Sequence, residues 1–285
     1  MVKKIIGQSY IWLILLLMYL PVLVLIAFSF TEAVNVGQWT GFSFNLFGRL
    51  FKSREIMIAL GNTVLIALIS ALVSTIIGTL GAIGAYYSKR RMRNTIDLAT
   101  QIPVVNAEIV VAFSLTVMFV FIGKIFAKMG GDSYIFSFWT LLIGHCCLSV
   151  PFVYISVKPK LQQMDPSLYE AALDLGASPT QALGKVIIPE VMPGVLSGFM
   201  LSITLSLDDF IVTAFTRGPG LLSGSKNIET LSTLVQAKIK KGPIPPEMRA
   251  LTTILFILVV LAVIGVTFYR NRQAKRLALN KRRGA

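Results

Sequence analysis

The chain has 285 residues, of which 55% are hydrophobic and 14% charged, and its mean hydropathy is +0.74. Soluble domains carry about a quarter of their residues as charged side chains, so a water-soluble globule is excluded and an all-α, polytopic membrane protein is indicated. The formal charge of +14 would suggest nucleic acid in a soluble protein. Here much of it lies in short loops and tails, where lysine and arginine set topology and meet anionic lipid; membrane lipid is therefore an expected partner and nucleic acid is not.

Six runs are each long enough to cross about 30 Å of hydrocarbon, which takes about 20 helical residues: 10–30, 58–87, 102–123, 134–157, 192–215 and 250–269. The first follows Lys3 and Lys4, as a secretory leader would, but it is too long and lacks a small-residue cleavage site, so it is expected to stay as the first span. Residues 1–269 then form one six-span membrane domain, and 270–285 a basic cytoplasmic tail that meets lipid. An even number of spans places both termini on one side. With the N-terminus inside, the inner segments hold Lys3, Lys4, the cluster Lys89, Arg90, Arg91 and Arg93, then Lys158, Lys160, Lys185 and the tail, a majority of the 27 basic residues. That asymmetry favours cytoplasmic termini.

In the first outer loop Trp39, Gly41 and Phe42 read as an interfacial segment with aromatics at the headgroups. On the second span Gly78, Gly81 and Gly84, among Ala and Ser, read as a packing face. Cys146 and Cys147 are adjacent within an apolar run, which fits packing and not a disulfide framework. The long outer loop 217–249 has an amphipathic stretch about 228–239, then Gly242, Pro243, Pro245 and Pro246 as a stiff return. It is a gate, a contact for a delivery protein, or a plain connector.

Between the fourth and fifth runs lies 165–189, reading DPSLYEAALDLGASPTQALGKVIIP, too polar and too broken to cross a bilayer. Asp165 can cap a helix whose first residue is Pro166, and Gly176 ends it after roughly three turns. Ser178 caps a second helix, with Pro179 first and Gln181 three after the cap, the spacing of a reciprocal capping box. On the first helix Leu168, Ala172 and Leu175 share a face, with Ala171 beside it and Glu170 at the margin. By periodicity alone this is either an amphipathic helix on the membrane surface or an element held by a partner. Small residues let another backbone come close, and the carboxylate offers a charge-assisted bond.

The wording of this stretch resembles the EAA loop of binding-protein-dependent ABC importer permeases: EAA, three residues, G, nine residues, I-x-L-P. Here Glu170-Ala171-Ala172 and Gly176 match, and Val186 and Ile188 before Pro189 replace the usual Ile and Leu. The resemblance implies a type I ABC importer permease fold whose cytoplasmic coupling helix docks into a cleft of an ATPase subunit. On that reading Glu170, Ala171, Ala172 and Gly176 carry the coupling.

Several enzyme classes lack their parts. The sequence has one histidine, His145, and no His/Cys cluster with metal spacing, so neither a zinc site nor a Ser-His-Asp triad can be assembled. No phosphate loop is present either: Gly123-Lys124 and Gly184-Lys185 lack the following Ser or Thr. No catalytic residue, metal or cofactor is expected in this chain; ATP and Mg belong on the partner ATPase.

The six runs contain Glu108, Asp208 and Asp209 but no lysine or arginine. Acidic groups at such depth are costly and mark a pathway, a relay or a paired contact. Without internal counter-charge they favour a cationic passenger; alternatively they are protonated or paired across a subunit interface. At 100° per residue Ser202, Ser206, Asp209, Thr213 and Thr216 fall in a stripe about 80° wide, so Asp209 ranks first as a lining residue. Asp208 points about 100° away, either a second contact or a pair with a neighbouring helix. Counting ~1.5 Å per residue puts both in the outer half of span five and Glu108 in the inner third of span three, so one passenger would not touch all three. His145 is read as a hydrogen-bonded interhelical contact in preference to a proton carrier.

A narrower resemblance covers nearly the whole chain. Gly144-His145, Pro151-Phe152, the run 205–210 reading LSLDDF, Gly218-Pro219, Pro246-Glu247 and the run 250–255 reading ALTTIL are similar to the spermidine/putrescine permeases of the PotC type. This implies a prokaryotic inner-membrane permease subunit for polyamines. Its implied partners are an ATPase dimer, a second homologous permease and an extracytoplasmic polyamine-binding protein. Two alternatives stay open: a permease of the same build for another solute, and a stand-alone secondary transporter, for which inverted repeats or discontinuous helices would speak but neither is evident in the sequence.

Overall fold

The computed structural model describes residues 2–33, 37–130, 135–218, 227–242, 245–258, 260, 261 and 264, with side chains from residue 7 onward. Its regular elements are helical, as long apolar runs require: in hydrocarbon no water satisfies N–H and C=O groups, so each segment bonds to itself. In chain order they are α1 (Val2–Phe28), α2 (Asn45–Lys52), α3 (Arg54–Tyr87), α4 (Arg90–Val105), α5 (Glu108–Lys128) and α6 (Phe138–Gln163). Then come α7 (Ser167–Asp174), α8 (Pro179–Ala182), a π turn (Leu183–Ile187), α9 (Ile188–Asp208), α10 (Ile211–Thr216), α11 (Leu231–Lys241) and α12 at 247–258. Among the described residues five stretches are long and apolar enough to span: Gly7–Phe28, Arg54–Tyr87, Glu108–Lys128, Phe138–Gln163 and Pro179–Asp208. α12 begins the expected sixth span; the rest of that span and the tail 270–285 lie outside the described residues, as do Pro219 and Pro243.

Two spans depart from the apolar runs. Span three starts at Glu108, after a separate α4 that runs through Pro103 and ends at Val105. Span five starts at Pro179, not near 192, and stops at Asp208. Hydropathy hides this because the polar residues of α8 and the π turn lie on the same continuous helix as the apolar ones of α9. The longer helices also take in Lys124, Lys128, Lys158, Lys160 and Lys185 toward their ends.

The chain forms two compact units, one from residues 1–57 and 235–285, the other from 58–234. In the first, Tyr19 of α1 meets Phe256 of α12 edge to face, 6.4 Å between centroids. Phe30 stacks on Phe42 at 5.4 Å with Phe44 and Phe47 against it, while Trp39 and Phe42 stay exposed, as an interfacial segment should. Glu32 fixes this loop by accepting from Ser43 and Asn45, each at 2.6 Å, and Arg249 donates to the Ala33 carbonyl.

In the second unit α6 is the axis. Gly78 of α3 and Gly198 of α9 both face Val153: a Cβ at Gly78 would lie 2.7 Å from the Val153 Cβ, and one at Gly198 would lie 3.0 Å from its Cα. The backbones of α3 and α9 therefore press on α6, and what holds them in lipid is close packing and not the hydrophobic effect. Gly84, expected on the same face, meets open space. Ala82, Tyr154, Leu161, Ile187 and Val191 complete this core.

α4 buries no residue. It is tied to α6 by Asp97, which lies before the apolar run and accepts from Lys158 Nζ at 2.7 Å and the Tyr154 hydroxyl at 2.6 Å. Burial raises the Asp97 pKa, but the bonds from Lys158 and Tyr154, with the charges of Lys158 and Arg93, outweigh it and hold the carboxyl below its usual range.

Candidate functional site

The predicted inner elbow forms, from local bonds. Asp165 accepts from the Ser167 N–H at 3.0 Å and the Ser167 hydroxyl at 2.8 Å, and these bonds, the backbone one first, pull its pKa down. α7 starts one residue later than expected and is 8 residues long, nearer two turns than three. It ends at Gly176, φ +84°, where the Ala177 N–H donates to Ala172 O at 3.1 Å and the Gly176 N–H to Leu173 O at 2.9 Å. That bond pair is the Schellman termination, which needs a left-handed residue at the glycine. The second cap is the predicted box: the Gln181 N–H donates to Ser178 Oγ at 3.3 Å, and the Ser178 N–H to Gln181 Oε1 at 3.1 Å. Pro189 offers no N–H to the Lys185 carbonyl and crowds it, and the turn before it widens to the π form.

α7 is held from one side. Tyr169 packs on the Tyr87 ring at 5.2 Å and on the core around Tyr154. Ala172 is half-buried on that side, so the outward apolar line is Leu168, Ala171 and Leu175 instead of Leu168, Ala172 and Leu175. Leu175 is 89% exposed and Glu170 is exposed beside this line.

The acidic groups sit at two helix junctions. α4 stops at Val105 and α5 begins at Glu108; α9 stops at Asp208 and α10 begins at Ile211. α5 and α10 run side by side in the same direction. Ala112 packs on Val212, and one turn later the Thr116 hydroxyl donates to Phe215 O at 3.1 Å. Glu108 opens α5 one turn before Ala112, and Asp208 closes α9 just before α10, so both acidic groups lie toward the same end of this helix pair. The contact of Ala112 with Val212 departs from the separation in depth expected from run lengths. A discontinuity not evident in the sequence is present at α9–α10.

The two aspartates have opposite surroundings. Asp208 is exposed, as is Glu108. Asp209, ranked first as a lining residue, is turned inward, its side chain 1% exposed. Its Oδ1 accepts the Val212 N–H at 3.1 Å, and its Oδ2 accepts the Thr213 N–H at 2.8 Å and the Thr213 hydroxyl at 2.9 Å, so it caps α10. The expected stripe of Ser202, Ser206, Asp209, Thr213 and Thr216 is buried throughout, but it crosses a break and is no continuous helix face.

His145 is the interhelical contact expected. It is fully buried, with Nδ1 2.7 Å from Ser206 Oγ, Nε2 3.0 Å from Thr213 Oγ1 and Nε2 3.6 Å from Asp209 Oδ2. Sequence reasoning missed Ser70, which donates to Ser206 Oγ at 3.2 Å, and Ser232, which donates to the Asp209 carbonyl at 2.6 Å. The signal for the first was there: Thr63, Ser70 and Ser74 recur on one face of an otherwise apolar α3. Thr63 also accepts the Leu231 N–H at 2.8 Å, pinning the start of α11. No group of metal-ligating side chains occurs among the described residues.

Residues 75–278 match the family described as binding-protein-dependent transport system inner membrane component. The chain is 32% identical over 257 residues to the spermidine/putrescine transport system permease protein PotC of Haemophilus influenzae, covering 90% of this chain and 93% of that one. It is 29% identical over 261 residues to the putrescine transport system permease protein PotI of Escherichia coli, covering 91% and 88%. Among solved structures it resembles a bacterial ABC transporter involved in the import of the acidic polysaccharide alginate, with a TM-score of 0.72, 18% identity and 95% of each chain covered. At that identity the likeness speaks to the fold alone.

Proposed function

We propose that this chain, which belongs to the binding-protein-dependent transport system inner membrane components and within them to permeases of the PotC type, passes polyamines between its two helix junctions. It is a multi-pass inner-membrane transport subunit and not an enzyme, and its family works with a binding protein. The stand-alone transporter alternative falls with that membership, since the broken helix occurs here within an importer subunit. The relatives named for spermidine and putrescine supply the passenger class.

One observation supports the reading: Glu108 and Asp208, which flank the paired starts of α5 and α10, are both exposed. Two carboxylates with no ion-pair partner among the described residues suit a chain of ammonium groups, whose hydration they replace by charge-assisted bonds. A second permease closes the other side of the path, and an extracytoplasmic protein delivers the polyamine. An ATPase dimer, carrying ATP and Mg, grips α7 through Leu168, Ala171, Leu175 and Glu170, with Ala172 and Gly176 shaping the elbow. The excess of basic residues in the inner segments supports the orientation with both termini and α7 on the ATP side.

The test is uptake by the transporter reconstituted with its ATPase, second permease and binding protein. Asp208→Asn with Glu108→Gln should raise the apparent KM for a triamine more than for a diamine while ATP hydrolysis persists. Equal effects on both amines, or none, remove the carboxylates from the passenger's path.

A further inference from the structure

We infer that His145 is a positioning residue: a one-way chain of hydrogen bonds from Ser70 through Ser206, His145 and Thr213 to Asp209 locks the α9–α10 break and leaves Asp208 as the carboxylate turned outward.

The direction is set from its far end. Each Asp209 carboxylate oxygen already receives a backbone N–H, from Val212 and Thr213, so the group acts as an acceptor, and the Thr213 hydroxyl gives it its proton at 2.9 Å. A hydroxyl has one proton. The Thr213 oxygen must then accept from His145, so Nε2, 3.0 Å away, carries a hydrogen. At the other end the Ser70 hydroxyl has two acceptors in reach, the Ala67 carbonyl at 3.3 Å and Ser206 Oγ at 3.2 Å, and the chain takes its proton to Ser206; the Ser206 proton goes to His145 Nδ1 at 2.7 Å. The ring is neutral, protonated on Nε2, and joins α3, α6, α9 and α10.

All five side chains are buried. A buried polar chain with every member satisfied admits one arrangement, and removing a link leaves donors and acceptors that no water can reach. Asp209 is held twice, by its carboxylate inside the chain and by its carbonyl, which takes the Ser232 hydroxyl from the start of α11. Thr213→Val keeps the shape at position 213 and cuts the chain between ring and carboxylate. Thr213→Ser keeps the hydroxyl.

The consequence for transport rests on Asp208 and Glu108 being passenger contacts, and the experiment separates the two claims. His145 is the single histidine of the sequence, so the full chain, made with isotope-labelled histidine, purified without a histidine tag and placed in lipid, gives one ring for solid-state NMR. The expected ring is neutral and protonated at Nε2, with the Thr213→Val spectrum altered and the Thr213→Ser spectrum like the parent. In the assembled transporter Thr213→Val should raise the apparent KM for a polyamine roughly tenfold at unchanged amounts of complex, and Thr213→Ser should restore it. A ring protonated at Nδ1 or at both nitrogens, a Thr213→Val spectrum like the parent, or a parental KM despite an altered ring overturns the inference. If ring and KM behave as expected but Asp208→Asn leaves uptake untouched, the chain stands and the passenger role of Asp208 is what fails.

Discussion

The inner elbow and the α9–α10 break are both interruptions with aspartate or serine caps, yet they handle their side chains in opposite ways. At the elbow Gly176 lets the backbone close its own bonds, so Glu170, Leu168 and Leu175 are left free at the surface. At the break no glycine is available, and Asp209, Thr213, Ser206 and His145 are all engaged in closing it. A surface turn can satisfy itself and present the rest of its residues to a partner. A turn inside the membrane must use its own polar groups, and only the neighbour outside the closed set, Asp208, remains available.

That contrast can be broken at either end. The largest effect is expected from Asp209→Asn, which replaces an acceptor by a donor facing an N–H or hydroxyl. Stability of the purified protein, followed by thermal unfolding in detergent, should drop by about 2–3 kcal/mol, and uptake of all amines should fall alike. Glu170→Arg should lower uptake more than about tenfold while the assembled complex still hydrolyses ATP; unchanged coupling would show that the exposed face of α7 grips nothing through this carboxylate. Asp208→Asn should leave unfolding within about 0.5 kcal/mol of the parent and act on apparent KM, the reverse of its neighbour. Gly176→Ala has free space for its methyl group and pays only for φ +84°, about 1 kcal/mol on the same unfolding assay. The smallest effect concerns Asp97. Its carboxyl is depressed when folded, so its tether to α6 contributes fully above the unfolded pKa of about 4 and is lost as pH falls through the lower folded value. An acid titration of unfolding should show this loss in the parent and not in Asp97→Asn.

The elbow was legible because its rules act within a few residues: Ser178 with Gln181, Asp165 before the helix, Gly176 after it. Even there, the side on which α7 is held was not, since it depends on Tyr87, far away in sequence. The break was missed for another reason. Asp209 looked like a lining residue because a continuous helix places it on a polar stripe; its contacts with the amides of residues 212 and 213 are local, but the residues around them include no glycine or proline to say that the helix stops there. Depth failed too, because run lengths do not say which parts of two helices lie side by side, as the contact of Ala112 with Val212 shows. The all-helical class was readable from composition and period; that Ser202, Ser206 and Thr216 share one side was readable too, but not that this side is buried.

Val153, pressed by Gly78 on one flank and Gly198 on the other, has a mechanical corollary. With only a glycine on each neighbour facing Val153, the backbones of α3 and α9 approach α6 as closely as that side chain permits, which leaves the three helices little clearance to slide along one another. Packing this close favours movement of the three helices as one body over sliding between them.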